Sequence, residues 1–225
     1  MAETRGVDAL ERALTLLDCF DSRTPALPLA ELSRRSGLYK STILRLAVSL
    51  ERFGYLARKA DGRFQLGPAA WRLGAAYRNG FDIGEIIRPE LALLAESTCE
   101  TASFYVREGE NRVCLFRCEP VRAIRHSILE GSRLPLASGA SGHVLRAFSG
   151  DQPSGPLEAR VRSQGFAISR GERDPEVAAL AVPLLDQAGA LRGALALSGL
   201  VTRFSDEAVG RWTALLRAAQ TRIQP

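Results

Sequence analysis

Apolar residues recur at helical spacing at Leu10, Leu14, Leu17 and Cys19/Phe20, which predicts a helix over residues 7–20. Two prolines and a serine within residues 21–28 interrupt it. Residues 29–36 continue as a second helix, and Gly37 supplies the residue best suited to a left-handed helix exit. A third helix, about residues 40–53, turns Ile43, Leu46, Ala47 and Leu50 inward and Ser41, Thr42, Arg45 and Ser49 outward. The period then falls to two. Short alternating runs at 55–59 and 63–66 flank Asp61-Gly62, a strong local hairpin signal. Helix, glycine turn, helix and hairpin is the order of a winged helix-turn-helix, which sets its second helix in the major groove of duplex DNA.

Gly67-Pro68 punctuates the chain, residues 69–77 read as helix, Arg78-Asn79-Gly80 as a loop and residues 83–97 as helix again. Beyond that point strands appear. Residues 102–107 and 112–118 pair around Glu108-Gly109-Glu110-Asn111, and 177–186 and 190–200 pair around Gln187-Ala188-Gly189. Residues 138–148 and 156–164 are short helices, and 206–223 form a closing one. The fold class is α+β: a helical N-terminal unit with a small wing, then an α+β unit built on an antiparallel sheet. The expected boundaries are 1–67 for the DNA-binding domain, 68–82 for a linker helix and 83–225 for the second domain.

Composition refines this pattern only slightly. With 225 residues, 46% hydrophobic and 24% charged, the chain has the makeup of a soluble globular protein large enough for two small cores. The net charge of +5 permits a polyanionic partner without demanding one. Residues 1–70 hold +3 of it, and the chain's two lysines, Lys40 and Lys59, both lie there. No secretory leader or membrane span is expected, because no apolar run reaches the ~20 residues a span needs. Cys19, Cys99, Cys114 and Cys118 lack the paired spacing of a zinc site and read as reduced thiols of a cytoplasmic protein. On a regular strand Cys114 and Cys118 would share a face, too far apart to bridge. No metal and no cofactor is expected.

Lys40, Ser41, Thr42 and Arg45 form a small, polar, basic face suited to base edges and phosphates, and Arg58, Lys59 and Arg63 on the wing suit phosphate contact. Arg34 and Arg35 end the preceding helix, where they could equally complement its dipole. Ser138-Gly139-Ala140-Ser141-Gly142 has neither the G-x-S-x-G spacing of a nucleophile elbow nor the Lys-Ser/Thr end of a phosphate loop, so a helix-start anion seat fits it better. No nucleophile–base pair or paired-carboxylate constellation accompanies it, and no catalytic residue is assigned. An enzyme with an N-terminal appendage and a protein-interaction module remain the alternatives to a DNA-binding regulator.

In order and spacing, the chain resembles an IclR-type transcriptional regulator along nearly its full length. The matching segments in the N-terminal part are Ala9-Leu10-Glu11-Arg12-Ala13-Leu14, Leu29-Ala30-Glu31-Leu32, Gly37-Leu38-Tyr39-Lys40-Ser41-Thr42 with Arg45-Leu46, and Phe64-Gln65-Leu66-Gly67. They continue as Arg133-Leu134-Pro135-Leu136 before Gly142, then Gly165-Phe166-Ala167, Ala181-Val182-Pro183 and Ala196-Leu197-Ser198-Gly199. The resemblance implies a GAF-like effector domain that binds a small organic acid. It also implies homodimers or homotetramers on palindromic operators.

Carried over by position, the resemblance places effector contacts at Ala140 and Ser141, in the first turn of a helix whose N–H groups can seat a carboxylate. Ser169, Val177, Ala179, Ala196 and Ser198 would join them, with Leu134 and His126. Ala179 and Ala196 are small and apolar, Ser169 stands where an acidic residue can occur, and His143 replaces the usual lysine after Gly142. These departures imply a roomier, more apolar pocket and an aromatic or longer aliphatic acid, within an operon for organic-acid catabolism.

Overall fold

The computed structural model describes residues 6–21, 24–79, 83–122, 128–150 and 155–223. The chain divides into two compact units, Met1–Phe81 and Asp82–Pro225. In the first, α1 (Asp8–Leu17), α2 (Leu29–Ser36) and α3 (Lys40–Arg52) surround a core of Leu16, Leu27, Leu32, Ile43, Ala47, Leu56 and Phe64. Gly37 ends α2 at φ 70°, and its N–H bonds the Ser33 carbonyl, as the sequence predicts. The apolar stripe of α1 behaves otherwise: Val7, Leu10 and Leu14 are exposed, and Leu16 alone is fully buried in the core. Leu46 and Leu50 of α3 are only half-buried.

The wing pairs β2 (Leu56–Arg58) with β3 (Phe64–Leu66), joined in register Leu56↔Leu66 to Arg58↔Phe64. Its tip is a three-residue loop rather than a two-residue Asp-Gly turn. Lys59 N–H bonds the Arg63 carbonyl, Gly62 N–H bonds the Lys59 carbonyl, and Gly62 takes φ 81°, which suits glycine. A strand not foreseen, β1 (Ala26–Leu27), lies on the other edge of β3 and completes a three-stranded sheet. The interrupted segment between α1 and α2 is therefore anchored by backbone pairing. Helix α4 (Pro68–Asn79) closes this unit.

The second unit is a six-stranded antiparallel sheet in the order β6-β5-β4-β9-β8-β7. The strands are β4 (Thr101–Glu108), β5 (Asn111–Cys118), β6 (Arg133–Pro135), β7 (Ala167–Arg170), β8 (Val177–Leu185) and β9 (Leu191–Leu200). Helices α5 (Ile83–Thr98) and α8 (Asp206–Ile223) pack one face through Ile87, Leu91, Trp212 and Leu216 against Phe104, Leu180, Val182, Leu195 and Leu197. Helices α6 (Ala140–Phe148) and α7 (Pro156–Gln164) cover the other through Val144, Leu145 and Val161, against Tyr105, Cys114, Ala181, Ala194 and Ala196. Both faces are buried, so β8 and β9 read as nearly continuous apolar runs.

One expectation fails within β5. The register steps from Phe104↔Phe116 to Tyr105↔Cys114, leaving Leu115 unpaired as a bulge. An extra residue inverts the alternation beyond it. Cys114 thus joins the α6 side and Cys118 packs on the α5/α8 side, on opposite faces rather than one.

Candidate functional site

Helix α3 begins without an acidic residue in its first turn, so nothing there neutralises its N-terminal lysine. Lys40, Ser41 and Arg45 are exposed and Thr42 is half-buried above Ile43. Among the described residues neither Lys40, Arg45 nor Lys59 forms an ion pair. The other basic groups are engaged within the chain. Arg58 stacks on the Phe64 ring, 4.6 Å from its centroid. Arg63 pairs with Asp61 at 2.7 Å, which lowers the Asp61 carboxyl below its usual range. Arg34 and Arg35 both hold Glu31, whose carboxyl falls to about 2 through their hydrogen bonds. Arg35 also donates to the Cys19 carbonyl at 2.9 Å, a bond that ties α2 to the end of α1.

In the second unit a cleft of about 500 Å³, part of it open to solvent, lies between the α6 face of the sheet and the start of α6. Strand alternation sends Val177 and Ala179 of β8, Ala196 and Ser198 of β9 and Ser169 of β7 into it. Ala140 and Ser141 supply the first turn of α6. Seven of the sequence-derived effector positions therefore share one cavity wall. Leu134, on the edge strand β6, packs against the core beneath α6 and does not line the cleft. His126 lies outside the described residues.

The cleft also holds Gly139 of the helix-start run and residues that sequence reasoning did not single out: Tyr105, Arg112, Ile128, Glu172, Arg173 and Asp174. Arg112 is only 2% exposed, and burial lowers its guanidinium pKa to about 10. Its Nη1 donates to the carbonyls of Pro135 and Ser138, the latter at 2.7 Å, and it stands over the Tyr105 ring. Its Nε has no hydrogen-bond partner. Arg112 lines the cleft and pairs with no carboxylate among the described residues, so its guanidinium brings a positive charge to the cavity wall. Burial raises the Tyr105 hydroxyl to about 12 and the Cys114 thiol to about 11, so both stay neutral.

At the α6 start, Gly139 takes φ 84° and its N–H donates to Glu172 Oε2 at 2.7 Å. Ala140 N–H donates to Ser169 Oγ at 3.0 Å, and His143 Nε2 meets Glu172 Oε2 at 2.8 Å. Small apolar side chains of Val177, Ala179 and Ala196 line the cleft, and Arg112, Glu172, Arg173 and Asp174 add charge to the lining.

Comparison with known proteins agrees with this architecture. The family model for the IclR helix-turn-helix domain matches residues 9–60, and that for the bacterial transcriptional regulator IclR C-terminal matches 75–154 and 157–224. The chain is 28% identical to the HTH-type transcriptional regulator BhcR of Paracoccus denitrificans, over 91% of this chain and 81% of that protein. It superposes on an IclR transcriptional regulator of Silicibacter sp. with a TM-score of 0.81 at 26% identity, covering 96% and 94% of the two chains. An IclR homologue of Microbacterium hydrocarbonoxydans, solved with 4-hydroxybenzoate, superposes with a TM-score of 0.79 at 22% identity, covering 96% and 98%. The chain belongs to the IclR family of DNA-binding transcriptional regulators.

Proposed function

We propose that this regulator reads a two-fold DNA operator through α3 and releases or re-engages it when an organic acid enters the cleft beside α6. The guanidinium of Arg112, a positive charge on the cleft lining beside a helix N-terminus, is the observation that carries the ligand class. Ala179, Ala196 and Val177 supply an apolar floor for the body of an aromatic or longer aliphatic acid. On the DNA side, Lys40, Ser41, Thr42 and Arg45 are the base- and phosphate-contacting set, and Lys59 is the principal wing contact.

Exposed Leu10 and Leu14 on α1, and Trp71 and Leu73 on α4, support a homodimer or homotetramer, in which α4 links the effector domain to the DNA-binding pair. A ligand shifts such an assembly only through its different affinity for two arrangements. Among the described residues no helix is long and apolar enough to cross a membrane, in keeping with a cytoplasmic regulator. Fluorescence anisotropy with DNA from upstream of the regulator's own gene tests the proposal. Specific, salt-sensitive binding that shifts on adding 4-hydroxybenzoate or related acids supports it. Binding without sequence preference refutes the operator reading, and no response to any acid refutes the effector reading.

A further inference from the structure

The anion seat of the cleft is already taken by a carboxylate of the chain itself. Glu172 Oε2 accepts from the Gly139 N–H at 2.7 Å and meets His143 Nε2 at 2.8 Å. The next amide, that of Ala140, is taken by Ser169 Oγ. Glu172 belongs to the connection between β7 and β8, at residues 171–176, which Gly171 enters at φ 70° and which also brings Arg173 and Asp174 to the cleft. The side chain of Glu172 is 35% exposed, whereas that of His143 is 7% exposed and its Nδ1 is unpartnered. Burial therefore fixes the histidine and leaves the carboxylate free to leave. Arg112, next to the same turn through its bond to the Ser138 carbonyl, also lines the cleft.

Resting on the assignment of this cleft as the effector site, we propose that Glu172 is a built-in competitor for the effector's carboxylate. An acid enters by displacing Glu172 from the α6 N-terminus, and its carboxylate then lies in the field of the Arg112 guanidinium on the cleft lining. The exchange swaps one carboxylate for another on the same donors and beside the same guanidinium, so the gain comes from the apolar floor. It also cuts the tie between residues 171–176 and α6, which converts occupancy into a change in that connection. The ligand class that follows is a monoanionic acid with an apolar body long enough to cover Val177 and Ala196. Very small acids replace Glu172 without adding contacts.

The test is isothermal titration of the full-length protein with 4-hydroxybenzoate, benzoate, acetate and the neutral 4-hydroxybenzamide. It compares wild type with Glu172→Gln and Glu172→Ala, and circular dichroism verifies that each variant folds. The expected result is at least ten-fold tighter binding of the aromatic acids by both variants, with the amide bound no differently. Deuterium uptake at residues 171–176 of the wild type should rise on adding the aromatic acid. Wild-type binding equal to or tighter than that of the folded variants overturns the competition while leaving the cleft as the effector site. Failure of all three proteins to bind any acid overturns the cleft assignment itself.

Discussion

Arg45 and Lys59 separate two kinds of DNA contact that a single residue can make. Arg45 projects from the exposed face of α3, from which a bidentate contact to a guanine edge would discriminate sequence. Arg45→Ala should cost about 1–3 kcal/mol on the operator and less on random DNA. Lys59 on the wing should act as a point charge, so Lys59→Ala weakens all duplexes alike and lowers the salt slope by about one. Arg63→Ala should matter less, because Arg63 is already paired with Asp61. Anisotropy titrations across a salt series check all three. Burial raises Cys114 from 9.0 to about 11 and Tyr105 from 10.0 to about 12. The unfolded chain therefore releases these protons first, and stability falls as pH climbs from about 9 to 12. Tyr105→Phe should flatten that decline in thermal melts. Residues differ in how far sequence discloses them. The Gly139–Gly142 turn announces a helix start, but Arg112 sits in an alternating strand where it reads as solvent-facing. It is engaged instead by the chain entering α6, whose Pro135 and Ser138 carbonyls it bonds. Glu172 lies among Gly171, Arg173 and Asp174, a segment that reads as an ordinary charged loop.

Elements made by neighbours in the chain are legible; elements made by distant pairing are not. Both hairpins, the two helices of the helix-turn-helix and the terminal helix follow from period and turn chemistry. The union of the hairpins through β4 and β9 does not, since Phe104 meets Leu195 across most of the second unit. The edge strands β6 and β7 and the two-residue β1 are too short to carry a period, and exist because a neighbouring strand offers unpaired amides. Gly193 sits at the β4–β9 junction for a steric reason. A Cβ there would lie 2.3 Å from the Phe104 ring and 2.6 Å from the Tyr105 carbonyl oxygen. Gly193→Ala should destabilise the second unit by about 1–3 kcal/mol, the usual cost of overpacking a filled core. Ile43→Ala, beneath α3, should cost the first unit about 2–5 kcal/mol through the cavity it leaves. Urea unfolding followed by tryptophan fluorescence reports the first substitution through Trp212 in the α8 core. The second should abolish operator binding and leave unchanged whatever acid binding the wild-type cleft shows. Loss of both functions in Ile43→Ala would show that the two units do not fold independently.

At the scale of the molecule, the issue is whether the two sites share one free energy. If the acid lowers operator affinity by a factor α, the operator must lower acid affinity by the same α, because both describe one thermodynamic cycle. Typical couplings of about 1–3 kcal/mol correspond to about 5- to 150-fold, well within reach of titration. The full-length protein, titrated with 4-hydroxybenzoate in the presence and absence of saturating operator, should therefore show acid affinities differing by the factor seen in DNA binding. Glu172→Gln bears on the same cycle. Removing the internal carboxylate should strengthen acid binding to both arrangements. If residues 171–176 transmit the signal, it should also shrink α, because the tie that distinguishes bound from free has gone. If the connection is only a plug, α is unchanged while affinity rises. Unequal factors from the two directions would mean that the acid alters assembly or binds at another place. An α of one with intact DNA binding would leave a DNA-binding protein that this acid does not govern.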